Sequence, residues 1–354
     1  MPVLTVDLGD SRVDVIGTTN LNGDVSVGGT ITAGTINGGT LDIGSITAGT
    51  IHLPDGSVQT SAAMGTSPRN PLQIALLRWY EWPFFNVGDG PWGVAFDGGN
   101  IWVTNFGGNT VTKLRASDGD LQGLFTVGSN PRGVALDGAN IWVANYGSDT
   151  VTKWRTSNGN LQGTFNVGSR PKGVAFDGAN IWVANSNSDT VTKLRASDGV
   201  VQGTFNVGAN PEGVAFDGAN IWVSNHNSDT VTKLRASDGD LQGTFNVGDQ
   251  PRGVAFDGAN IWVVNSNSDT VTKLRASDGD LQGTFNVGDQ PIGVAFDGAN
   301  IWVANYGSDT VTKLRASDGD LQGTFNVGSC PAHVAFDGAN IWVTNHLGHT
   351  VSRL

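Results

Sequence analysis

The sequence predicts an all-β fold, a closed ring of seven four-stranded units, on three observations. The segment Ile-Trp-Val begins at 101, 141, 181, 221, 261, 301 and 341, a period of 40 residues. Each copy is led by a proline, at 91, 131, 171, 211, 251, 291 and 331. Within a copy, short β-prone runs alternate with turn residues, and none shows the i, i+3, i+4 spacing of a helix. Four strands in each ~40-residue repeat is the pattern of a β-propeller blade.

Taken in order, a unit reads Gly-Val-Ala-Phe (first strand), an Asp-Gly-Ala-Asn turn, Ile-Trp-Val-Ala-Asn (second strand) and a Ser/Asn/Gly/Asp loop. Thr-Val-Thr-Lys-Leu-Arg (third strand), an Ala-Ser-Asp-Gly-Asp turn and Leu-Gln-Gly-Thr-Phe-Asn-Val (fourth strand) complete it. The seventh copy stops at Val351-Ser352-Arg353-Leu354, the end of its third strand, whereas Glu-Trp-Pro-Phe-Phe-Asn-Val-Gly at 81–88 is a fourth strand with nothing before it. The spare strand is therefore expected to complete the last blade and shut the ring, leaving no long free edge. The recurring Trp of Ile-Trp-Val and the recurring Phe residues are expected to fill the space between blades, a core that one unit cannot bury alone.

The run Pro-x-Gly-Val-Ala-Phe-Asp-Gly-x-Asn-Ile-Trp-Val-Thr-Asn at 91–105 resembles the YVTN and NHL-type propeller repeats, with Trp102-Val103-Thr104-Asn105 standing where that family has Tyr-Val-Thr-Asn. The resemblance covers residues 81–354 and speaks for the fold, because propellers of this type host binding proteins and enzymes alike. The Gly-His and Trp-Asp marks of WD40 repeats are absent.

Residues 1–65 are different: single Ile, Leu or Val residues stand among Gly, Thr, Ser and Asn, with no aromatic residue. Such a segment buries too little apolar surface to fold alone. It is expected to form a β stem by winding with copies of itself, and it resembles the stems of trimeric phage-type tail fibres. Ile-His-Leu-Pro-Asp-Gly-Ser-Val-Gln at 51–59 is similar to a motif of such fibres. A flexible linker is the alternative. Residues 66–80 form a connector in which Asn70 and Pro71 signal a short helix carrying Leu72, Ile74, Ala75, Leu76 and Leu77. The expected organisation is stem 1–65, connector 66–80 and propeller 81–354, with a homotrimer formed through 1–80.

A net charge of −12, from 20 Lys and Arg against 32 Asp and Glu, argues against a nucleic-acid partner. The single cysteine leaves no internal disulfide. The start, Met-Pro-Val-Leu-Thr-Val-Asp, carries no secretory pattern, and no stretch predicts membrane insertion. A tail fibre reaches the outside as part of a particle, so an extracellular or virion location is expected, with residues 1–20 on a baseplate or other component.

Comparing the copies with one another locates the expected function. The position after each leading Pro reads Trp92, Arg132, Lys172, Glu212, Arg252, Ile292 and Ala332. The position after Ile-Trp-Val-x-Asn reads Phe106, Tyr146, Ser186, His226, Ser266, Tyr306 and His346. Both lie on loops of the same face of the disc, while the near-constant turns lie on the other. Variation gathered on one face predicts recognition there, by Trp92, Phe106, Arg132, Tyr146, Lys172, Glu212, His226, Arg252, Tyr306, His333 and His346, a mixture of aromatic and charged groups suited to a cell-surface glycan or protein receptor.

Three constellations bear on chemistry. Cys330, His333, His346 and His349 fall on the loops of the seventh copy and are candidate zinc ligands by residue type, although their spacing matches no metal signature. The ring also resembles streptogramin-lyase propellers, and that resemblance implies His and Glu at the central opening with a metal ion. Glu212 and His226 in the fourth blade and His333 and His346 in the seventh are the residues it would recruit, while Ile-Trp-Val-Ala-Asn departs from the Trp-Phe-Thr-Glu type of strand. Asp97, Asp137, Asp177, Asp217, Asp257, Asp297 and Asp337 each precede Gly at a tight turn, where backbone chemistry alone explains them. No nucleophile elbow, phosphate loop or paired-carboxylate motif is present. The sequence therefore predicts a receptor-binding or adhesion protein that is not an enzyme and needs no cofactor, with a metal-dependent lyase or a protein-binding scaffold as the alternatives.

Overall fold

A computed structural model describes residues 84–354 and four short strands nearer the N-terminus. The chain divides into two compact units, Met1–Tyr80 and Glu81–Leu354. In the first, β1 (Arg12–Val13) pairs in parallel with β2 (Thr30–Ile31), and β3 (Thr50–His52) pairs antiparallel with β4 (Val58–Thr60). The trimeric stem expected for 1–65 lies largely outside the described residues, and the helix expected within 66–80 lies wholly outside them.

The second unit is a seven-bladed propeller. Its first blade is β6 (Pro91–Phe96), β7 (Asn100–Asn105), β8 (Thr110–Arg115) and β9 (Leu121–Thr126), paired antiparallel in sequence order. β10 to β29, within residues 131–326, repeat that cycle five times. The last blade takes β30 (Pro331–Phe336), β31 (Ile341–Asn345) and β32 (Thr350–Arg353) from the end of the chain and β5 (Phe84–Asn86) from its front. In the closing pair Thr350 faces Asn86 and Val351 faces Phe85. The expected closure is thus realised.

The core lies between blades, in seven apolar clusters that each join two neighbours. In one, Trp182 and Val191 of the third blade pack on Ile221, Val223 and Leu234 of the fourth, with Phe205 and Phe216 at the margin. Burying one such indole contributes about 4–6 kcal/mol at ~25 cal/mol/Å². Two polar latches recur with it. The carboxylate of Asp217 accepts Trp222 Nε1–H at 2.8 Å and the Asn220 amide N–H at 2.6 Å, closing the turn at Gly218, whose φ of 98° disfavours a side chain. Lys193 Nζ lies 5.1 Å from the Trp182 ring centroid and donates to the Ala236 carbonyl of the next blade at 2.7 Å. The repeated Asp residues are thereby tied to turn and indole, as the turn reading requires.

Candidate functional site

The first strands stand around the axis, and a glycine near the start of six of the seven permits their crowding. A Cβ on Gly173 would lie 2.3 Å from the Glu212 carbonyl oxygen of the next blade, and one on Gly133 2.3 Å from that of Lys172. The seventh copy breaks the pattern with His333. The opening so formed, about 140 Å³, is lined by Trp92, Arg132, Lys172, Glu212, Arg252, Ile292 and His333. The loops carrying the variable residues share its face: Phe106 N–H donates to the Gly90 carbonyl at 2.8 Å. On the opposite face Ala116 N–H donates to Gly99 at 3.0 Å and joins the two constant turns. The division into a variable and a constant face expected from the copies is the division the backbone makes.

All eleven expected binding residues meet at this mouth, in two sectors. The ionic sector belongs to the third, fourth and fifth blades. Glu212 is buried, with Lys172 Nζ 2.5 Å from Oε1 and Arg252 Nη1 3.4 Å from Oε2. Burial works to raise its carboxyl, but Arg252 and Lys172 outweigh burial and hold it below the usual carboxylate range. Burial lowers Lys172 from its ordinary value, with Glu212 opposing. His226 is buried beside them, its Nδ1 4.0 Å from Glu212 Oε1, too long for a hydrogen bond, and without another partner. Burial lowers its pKa, Glu212 opposes, and the two cations push further down, so the imidazole is neutral at pH 7.

The aromatic sector belongs to the sixth, seventh, first and second blades. Trp92 lies 5.0 Å from the His346 ring, edge to face, 6.1 Å from Phe106, 6.2 Å from His333 and 6.5 Å from Tyr306. Phe106 continues the cluster to Tyr146 at 6.3 Å. Burial pushes His333 down to about 4, with Arg132 adding to the effect, and lowers His346 as well. Arg132 joins the sectors: its guanidinium carbon sits 4.5 Å from the Trp92 ring centroid and 4.7 Å from that of Tyr146. Between Trp92, Arg132, Arg252 and Tyr306 opens a second cavity of about 420 Å³, to which Gln250, Ser266 and Gln290 also contribute.

Three residues that the sequence reading passed over set the backbone of this site. Thr104 Oγ1 donates to the Arg132 carbonyl at 2.6 Å and accepts from Gly93 N at 2.8 Å. Thr344 Oγ1 does the same between the Trp92 carbonyl, at 2.6 Å, and His333 N, at 3.0 Å. Ser224 Oγ donates to the Arg252 carbonyl and accepts from Gly213 N at 2.8 Å. The hydroxyls thus hold the backbone of Trp92, Arg132 and Arg252. The signal was present: the x of Ile-Trp-Val-x-Asn reads Thr, Ala, Ala, Ser, Val, Ala, Thr, polar only in blades one, four and seven.

The four candidate metal ligands do not converge. His349 replaces the Asp or Asn with which the corresponding loops accept a backbone N–H from the next blade. Asp309 accepts from Cys330 at 2.7 Å, and His349 Nδ1 accepts from Gly90 at 3.1 Å across the ring closure. Cys330 turns toward Tyr306, whose hydroxyl pKa is raised by burial and by that thiol. His333 and His346 face Trp92, and His346 also lies beside Gly90, the residue that His349 bonds. Among the described residues no group of three or more His, Cys, Asp or Glu is arranged to hold a metal ion. Glu212 beside His226 likewise offers two donors rather than three, and the carboxylate is engaged by cations. The donor set does not fit the metal that the lyase resemblance implies.

No protein-family model matches the sequence, and a search of curated proteins finds no match. The solved structures do match. Hydrazine synthase of Kuenenia stuttgartiensis aligns at a TM-score of 0.68 and 19% identity, covering 77% of this chain and 96% of that one. A streptogramin B lyase aligns at 0.66 and 18% identity, over 76% and 95%. A catalytically inactive histidine-to-alanine variant of virginiamycin B lyase from Staphylococcus aureus, with quinupristin, aligns at 0.67 and 17% identity, over 76% and 97%. The chain has the seven-bladed fold of these proteins. The expectation that it is not an enzyme is corrected by this finding, since the propellers it resembles are enzymes. A propeller assembles its site from mouth residues 40 positions apart, so the lack of a contiguous motif was no ground for excluding catalysis. The tail-fibre reading draws no support from these similarities.

Proposed function

We propose that the chain is a propeller enzyme of lyase type, in which a neutral imidazole at the mouth removes a proton next to a carbonyl. The observation that carries this reading is His226: buried, uncharged at neutral pH, with an unpartnered Nδ1 beside two cations. The imidazole takes the proton, and the C–H electrons move onto the carbonyl oxygen. Arg252 and Lys172 stabilise that oxyanion. When the enolate collapses, a double bond forms, the leaving group at the β carbon departs with its bonding electrons, and the imidazolium returns the proton to it. Glu212 holds the two cations in place and favours the transient imidazolium. The likeness to a lyase whose histidine-to-alanine variant is inactive supports the reading. Kinship with the YVTN and NHL-type repeats belongs to the same proposal, resting on residues 91–105.

The test is turnover of virginiamycin B and of simple β-acyloxy carbonyl compounds, followed by mass spectrometry. Product carrying the new double bond is expected, with the rate reduced about 10²–10⁴-fold in His226→Gln. The rate should fall on the acid side, below the ordinary histidine pKa of about 6.5, as His226 becomes charged. No turnover across the panel, or full activity in His226→Gln, overturns the proposal.

A further inference from the structure

We propose that the cavity between Arg132 and Arg252 binds an organic carboxylate carrying a planar ring, the carboxylate on the two guanidiniums and the ring against Trp92 and Tyr306. This deepens the enzyme reading by naming a substrate class, and it rests on that reading only for the idea that the ligand is turned over.

Arg132 is the central observation. Its Nε is buried without a hydrogen-bond partner, and among the described residues no protein group bonds its guanidinium. The rings of Trp92, Tyr146 and Phe106, with centroids at 4.5, 4.7 and 5.3 Å, fix the guanidinium plane yet satisfy none of its N–H groups. Glu212 acts on it only at a distance, and a cation taken out of water with no anion in contact is destabilising, so it persists where a ligand supplies the anion. Arg252 faces the same space with donors to spare: Nε bonds Ser266 Oγ at 3.0 Å, Nη1 reaches Glu212 at a long 3.4 Å, and Nη2 makes no bond among the described residues. The planar forks of two guanidiniums match carboxylate geometry better than any other common anion acceptor.

Charge points the same way. The chain carries −12 overall, but here Arg132, Lys172 and Arg252 face the single carboxylate of Glu212. The histidines do not add to the imbalance, since His226 and His333 are held neutral at pH 7. The cavity of about 420 Å³ has the size of a small-molecule site. Its aromatic wall, with Trp92 and Tyr306 rings 6.5 Å apart, favours a flat group over an aliphatic one.

Isothermal titration of the full chain with benzoate and 1-naphthoate tests this, with benzamide as the neutral isostere and cyclohexanecarboxylate as the non-planar acid. Saturable binding of an aromatic acid is expected, at least about tenfold tighter than benzamide and weakened by salt. Arg132→Met should abolish it while leaving the melting temperature equal or higher, since that change removes an unpaired buried cation. A merely structural arginine would instead lower the melting temperature when replaced. Equal affinity for benzamide, unchanged affinity in Arg132→Met, or no saturable binding of either aromatic acid overturns the proposal. Because the titration needs no turnover, binding without elimination rejects the enzyme reading and leaves this one standing. Elimination without carboxylate preference does the reverse.

Discussion

On one face of the disc Asp217 receives the Trp222 indole at 2.8 Å, as Asp97 receives Trp102 at 2.7 Å and Asp337 receives Trp342 at 2.7 Å. On the other face Glu212 has no counterpart in any blade: its column reads Trp, Arg, Lys, Glu, Arg, Ile, Ala. The difference separates two kinds of polar burial. The aspartates are self-contained, each saturated by donors within five residues, so one blade can repeat the device seven times. Glu212 is neutralised by residues 40 positions away on either side, so it exists only because its neighbours differ from it. Repetition builds the frame, and departure from repetition builds the mouth.

Removing one residue from each side probes the contrast. Glu212→Leu should cost the most, about 3–5 kcal/mol in urea unfolding, because it strands Lys172 and Arg252 near the axis without their counter-charge. A loss below about 1 kcal/mol would show that solvent reaches those cations and that the ionic sector is not sealed. Asp217→Ala should cost about 2–3 kcal/mol by leaving the indole N–H and two turn amides unpaired, and Asp177→Ala in the neighbouring blade should cost the same. Unequal costs would break the claim that the latch is local.

His333 supplies an effect confined to a defined pH window and absent at neutral pH. Its folded pKa, about 4, lies below the ordinary 6.5. The unfolded chain therefore takes up a proton that the folded chain refuses, and stability falls as pH drops from about 6.5 to about 4. His333→Gly, which restores the residue of the other six copies, should flatten melting temperature against pH across that window, a change on the order of 3 kcal/mol at the acid end. The slope below pH 4 should survive, since it belongs to carboxylates such as Glu212 and Asp217 held below their usual range. Arg275→Ala marks the floor. That exposed pair with Asp278 should leave the melting temperature unchanged within error.

How much of this was legible in the sequence follows the same division. The period of 40, the incomplete seventh copy and the spare strand at 81–88 define the ring, because in a propeller the unit of sequence is the unit of packing. The columns of Trp92 and Phe106 also place the mouth. What they do not convey is who meets whom. That Trp92 reaches across the seventh blade to Tyr306, or that Arg132 stacks on rings from two blades and bonds to none, depends on how side chains of different length converge on an axis. The seventh copy misled for a related reason. Cys330, His333, His346 and His349 are close in sequence, yet Cys330 turns to Tyr306, His333 and His346 pack on Trp92, and His349 does the work of the Asp in other loops. The hydroxyls of Thr104, Ser224 and Thr344 escaped notice because small residues in a strand read as packing.

The closing strand carries one more consequence. β5 joins β32 by strand pairing and side-chain packing rather than by a chain connection, so the ring has a seam, and the cluster around Trp92 lies astride it. His346, His333, Thr344 and Tyr306 reach Trp92 from the C-terminal side, while Trp92 itself is covalently continuous with β5. A molecule lodged against Trp92 and Tyr306 therefore grips both jaws of a clasp. Its occupancy and the fastening of β5 onto the last blade become one equilibrium, and amide exchange along Phe84–Asn86 would slow as the mouth fills.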